Sequence, residues 1–150
     1  MHSSKPFKLT TTDITPLLIW LAIAFITWTF MHSADHFLAL TPEALGKYYN
    51  LRWILIAHIT AGGGSLILGA IQFWPKLRNY YKKLHRVIGL FYLLAVIVSS
   101  SCAVVLAFTT AYHVNLPYAF SLQVWVSVWI SSTLIAYYSA LKRKFELHRQ

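Results

Sequence analysis

Four uncharged runs constrain what this chain can fold into. Ile14–Met31, Trp53–Trp74, Val87–Tyr112 and Val114–Leu141 contain no Lys, Arg, Asp or Glu. The first is 18 residues long and the others are 22, 26 and 28. A helix needs roughly 20 apolar residues to cross a hydrocarbon core ~30 Å thick. The expected fold is all-α: a membrane-embedded four-helix up-down bundle with spans at about 14–34, 53–74, 87–110 and 117–141. Only 11% of the chain is charged, against about 25% in a soluble domain. The remaining polar residues lie in short segments between the runs, so residues 1–150 form a single integral membrane domain.

The charges are sorted by side. Lys5 and Lys8 precede the first run. Lys76, Arg78, Lys82, Lys83 and Arg86 lie between the second and third, and Lys142, Arg143, Lys144 and Arg149 follow the fourth. These 11 basic residues share one side and leave only Lys47 and Arg52 for the other. Basic residues collect on the cytoplasmic side, so both termini are expected there, in a bacterial inner membrane. The net charge of +9 is then explained by helix ends anchored to an anionic leaflet, with no call for nucleic acid. The first run starts late, is too long for a signal-peptide core and lacks a small-residue cleavage site. It reads as a retained span.

Local signals mark the element ends. Thr10–Asp13 offers helix caps and Pro16 suits a first turn. Thr41-Pro42 predicts a short interfacial helix in the loop Phe37–Leu51. Tyr48, Tyr49 and Trp53 suit headgroup depth. Asn115 and Pro117 predict a tight turn joining spans three and four as a hairpin. Gly62, Gly63, Gly64 and Gly69 line span two. Glycines cost about 1 kcal/mol each against Ala in a soluble helix, so they imply a close-packed helix face or a flat wall against a planar cofactor. Ser99, Ser100 and Ser101 at the centre of span three are expected to bond back along their helix or across to another. Cys102 is the only cysteine and reads as a small apolar residue.

The seven histidines carry the only chemistry in view. There is no nucleophile motif, phosphate loop or carboxylate pair. His32, His36, His58 and His113 fall toward the outer side; His85 and His148 fall toward the cytoplasmic side, with His2 in the tail. His58 is the one ionisable side chain well inside a span, and such residues default to functional candidates. It either hydrogen-bonds a Ser or Thr across the bundle or ligates a cofactor. His32 and His36, four apart, would stack on one face of a continuing helix beside Asp35, as partners for His58. Leu84-His85-Arg86 recurs as Leu147-His148-Arg149, each after an outward-to-inward span and each preceded by basic residues, which suggests an internal duplication.

His58, Gly63-Gly64, Gly69, Gln72-Phe73, His85-Arg86, Gly89 and Tyr92 stand in the order and spacing of an uncharacterised bacterial membrane family. The stretch from Leu51 to Gln150 resembles domain of unknown function 2306. In that family a second His-Arg motif opens a further helix, and His148-Arg149 matches it. The resemblance implies architecture and no activity.

Three functions remain open. One is a non-enzymatic module, either a partner subunit that associates through its helices or a small transporter element; the Gly/Ser-rich spans suffice for it. Another is a b-type haem electron-transfer protein, with His58, His32, His36, His85 and His148 as candidate ligands and Gly63 and Gly64 as a wall. Bis-His ligation would pair His58 with His32 or His36. The third is an outer metal site built from His32, Asp35, His36 and His58.

Overall fold

A computed structural model describes residues 11–144 and His148, with side chains from Leu18 onward. The six α-helices are α1 (Thr11–Ala34), α2 (Pro42–Leu45), α3 (Arg52–Gln72), α4 (Pro75–Tyr80), α5 (Lys82–Thr109) and α6 (Leu116–Leu141). Short 3-10 turns at Asp35–Ala39, Gly46–Leu51 and Ala111–His113 complete the connections. There is no strand among the described residues. Among the described residues, four stretches are long and apolar enough to cross a membrane: Leu18–Ala39, Pro42–Gln72, Lys82–His113 and Leu116–Leu141.

The expected caps account for several element ends. The Thr41 hydroxyl accepts from the Ala44 amide at 3.2 Å, and Pro42 opens α2. The Asn115 side chain accepts from the Tyr118 amide at 2.8 Å, with Pro117 in the first turn of α6. Such side chains satisfy amides that the first helical turn leaves free. Trp74 is extended, as a residue before proline prefers, and Pro75 then starts α4. Helix α5 begins at Lys82, earlier than the uncharged run, and takes Lys82, Lys83, His85 and Arg86 into its first turns. Thr10 lies outside the described residues, as do Lys5, Lys8, Leu147 and Arg149.

The central contact is α3 against α5; α1 packs on α3 and α6 packs on α5. The burial pattern is the reverse of a soluble domain. Ser65, Ser99 and Ser139 are almost fully buried, whereas Phe25, Trp28 and Trp125 are about 70% exposed. Lipid tails are as apolar as leucine, so large side chains gain nothing by turning inward, and small polar residues let backbones approach and bond across helices.

The glycines of α3 divide by neighbour. A Cβ at Gly62 would come within 3.2 Å of the Ser99 hydroxyl on α5, and one at Gly63 within 2.8 Å of the Met31 sulfur on α1. One at Gly69 would stand 3.1 Å from the Tyr92 ring. Gly64 has nothing within 4 Å. Gly63 therefore belongs to the packing wall and Gly64 does not: successive residues are turned about a helix by roughly 100°, so three consecutive glycines do not share one face.

Candidate functional site

The connection between α1 and α3 folds over the helix ends. Leu45 of α2 is buried against Ala34, Leu55, Ile59 and Leu106, with Phe37 and Tyr48 packed around them. Beneath this cap, α1 and α6 form the walls of a cleft whose floor is the α3–α5 pair. Its volume is about 660 Å³, within the range of small-molecule sites. Aromatic side chains line much of it, among them Phe30, Tyr118, Trp125 and Trp129. His58 lines it too and, among the described residues, is the only histidine that does. A second hollow, of about 420 Å³ against Trp20 and Trp28, is lined by no ionisable residue.

His58 is tied to α5 at two points. Its Nδ1 is 3.0 Å from the Ser99 carbonyl oxygen and 3.1 Å from the Ser99 hydroxyl, and that hydroxyl donates to the His58 carbonyl at 3.2 Å. A carbonyl oxygen can only accept, so the proton of the neutral ring sits on Nδ1. Nε2 then holds the lone pair and is the ring nitrogen left for a ligand in the cleft. Gly62 makes this approach of α3 to α5 possible, since its missing side chain leaves room for Ser99.

The expected partners on span one lie elsewhere. The α-helix ends at Ala34 and tightens to 3-10 winding at Asp35, so His32 and His36 do not continue along one α-helical face. His32 is exposed, with Nδ1 3.4 Å from an Asp35 oxygen and its ring stacked on Trp28. His36 is exposed against Phe37. Neither lines the cleft. Among the described residues no three His, Cys, Asp or Glu side chains are grouped to hold a metal ion. The set His32, Asp35, His36 and His58 is thus not brought together, and His58 has no second imidazole facing it across the cleft. His113, in the Ala111–His113 turn, is exposed.

At the opposite, basic end the Gln72 amide donates to the His85 carbonyl at 3.1 Å and lies over Gly89, where a Cβ would meet it at 3.6 Å. Gly69 receives the Tyr92 ring. These contacts pair the very residues on which the resemblance rests. The family model described as "Predicted membrane protein (DUF2306)" matches residues 55–150, more than half the chain. The chain belongs to this family. No curated protein and no solved structure matches it.

Within the DUF2306 region, His85 lies at the start of α5 and His148 follows α6. His148 holds its Nδ1 2.8 Å from the Ala136 carbonyl of α6. The His85 Nδ1 is shut off from solvent and has no hydrogen-bond partner among the described residues.

Two features of these sites were not singled out in the sequence. The cleft aromatics come from α1, the turns that follow it and α6, segments some seventy or more residues apart with nothing local to connect them. Ser99 stood out as one of three central serines, but its pairing with His58, 41 residues away, is a property of the packed α3–α5 pair.

Proposed function

We propose that this chain is a non-enzymatic membrane module, a small transporter or partner-subunit element, whose working part is the His58 cleft. Its ligand is a lipid-soluble ring compound with a hydroxyl group, of the quinol type. One observation carries this reading: the Ser99 carbonyl fixes the proton on His58 Nδ1, which leaves Nε2 as an acceptor in a mostly apolar, aromatic-lined cleft. A ring hydroxyl donates to Nε2, and the aromatic walls stack on the ring. Residues 1–150 act as one integral membrane domain. The basic asymmetry supports cytoplasmic termini, and the family resemblance supports a bacterial inner membrane. The exposed apolar helix faces suit lipid or a neighbouring subunit.

The same hydrogen bond also favours a second reading, b-type haem. Histidines that ligate metal usually donate their other N–H to a carbonyl or carboxylate, which orients the ring. In that reading His58 is the sole histidine ligand. Solvent extraction and mass spectrometry of the detergent-purified protein, with its visible spectrum, separate the two. A ring compound that co-purifies with the wild type and His113→Ala, and is lost from His58→Ala, is the expected result. A Soret band lost in His58→Ala moves the assignment to haem. A wild type carrying neither overturns both, and His58 is then a structural hydrogen-bonding residue.

A further inference from the structure

The polar groups of the His58 cleft are sorted by what they can offer a ligand. Ser33 of α1 and Thr110 at the end of α5 both line it. The Ser33 hydroxyl donates to the Thr29 carbonyl at 2.7 Å, and the Thr110 hydroxyl donates to the Leu106 carbonyl. Each proton is spent within its own helix, so only oxygen lone pairs are left for a ligand.

His58 of α3 is in the same position. Its Nδ1 proton goes to the Ser99 carbonyl at 3.0 Å. In the opposite tautomer the Ser99 hydroxyl would have to leave the His58 carbonyl to donate to Nδ1. The Ser99 carbonyl would then face that nitrogen with no proton between them. Nε2 is therefore held as an acceptor. Helix α6 brings the opposite chemistry to the cleft: Tyr118, Trp125 and Trp129, whose phenol and indole groups can donate. Tyr48 of the cap can donate too.

We propose that the cleft selects the reduced, hydroxyl-bearing form of its ring ligand and excludes the oxidised, carbonyl-bearing form. This selection rests on the reading of the cleft as a site for a quinol-type compound. A quinone differs from its quinol by two hydrogens, and both of its ring oxygens can only accept. Against His58 Nε2 a quinol hydroxyl donates into the lone pair, whereas a quinone carbonyl opposes one lone pair to another. A ring oxygen on the α6 side can accept from that helix in either form, so the discrimination comes from His58. A site built to hydrogen-bond a ligand hydroxyl rejects the analogue that lacks it, because its own polar group is then left unpaired.

The test uses the full chain in a neutral detergent under argon, with three probes: tetramethylhydroquinone, its monomethyl ether and tetramethyl-p-benzoquinone. Binding is measured by equilibrium dialysis. The hydroquinone and its monomethyl ether each keep a hydroxyl to donate and should bind within about threefold of one another. The quinone should bind about tenfold or more weakly than the hydroquinone. In His58→Gln the amide both accepts and donates, so the hydroquinone and the quinone should bind within about threefold of one another. The three probes on the wild type decide the matter even where that variant does not fold. A quinone that binds the wild type as well as the hydroquinone does would overturn the selection and leave the ring-compound reading in place. A monomethyl ether as weak as the quinone, or the same selection in His58→Gln, would also overturn it. No binding by any of the three probes would overturn the selection and the ring-compound reading together.

Discussion

At the scale of single residues, the state of His58 rests on backbone rather than on another side chain. Its Nδ1 proton goes to the Ser99 carbonyl, and the Ser99 hydroxyl adds a second link by donating to the His58 carbonyl. Removing the hydroxyl therefore leaves the tautomer in place. Ser99→Ala should lower the melting temperature in detergent slightly, in line with about 0.6 kcal/mol for an average interhelical hydrogen bond in a membrane. Ligand retention should stay within about threefold of wild type, because the Nδ1 bond persists. Loss of the ligand in Ser99→Ala as complete as in His58→Ala would show that the hydroxyl, not the carbonyl, sets the ring. His58 itself was visible in the sequence, as an ionisable residue inside an uncharged run. Its partner was not: His32 and His36 looked favourable by spacing alone, but His32 is exposed on α1 against Trp28 and His36 falls in the 3-10 turn that begins at Asp35.

At the scale of elements, the glycines of α3 set how closely its neighbours approach. Gly62 admits Ser99 of α5, and Gly63 admits Met31 of α1. The Met31 side chain is flexible, so Gly63→Ala is tolerable. Gly63→Leu must push α1 away and should lower the melting temperature in detergent by several degrees, the usual cost of overpacking being about 1–3 kcal/mol. Gly64 faces open space, so Gly64→Leu should leave the melting temperature nearly unchanged. Equal effects at both positions would mean that the face turned to α1 is misassigned. The run of glycines was legible in the sequence. Which of them packs was not, because each helical position depends on where neighbouring helices stand.

At the scale of the whole molecule, four spans in series join two chemically different ends. One end holds the capped cleft with His58; the other holds Arg78, His85 and His148. The basic residues crowd the second end and its neighbouring segments, and the positive-inside rule predicts a cytoplasmic side for that end. Topology reporters fused after Gln150 and inserted beside Gly46 should then report opposite sides of the membrane, with the Gln150 fusion cytoplasmic. Reports from the same side would break the four-span arrangement. Opposite sides with the Gln150 fusion outside would keep the spans and reverse the orientation.

The sequence by itself determined the class of the fold, the number of spans, the caps at Thr41 and Asn115 and the family. Each of these follows from local chemistry: the length of an uncharged run, a side chain beside its own helix end, or motif residues at set spacing. Tertiary structure alone decided what meets what. It joined His58 to Ser99 and not to His32 or His36, and separated Gly63 from Gly64. It also raised a cleft between α1 and α6, and left Arg78 and His85 with buried nitrogens that have no partner among the described residues. In a membrane every span is apolar, and helices gain little from hydrophobic patterning against one another. Their mutual rotation is set by small residues and a few hydrogen bonds between distant segments, a signal that residue order along one helix does not contain.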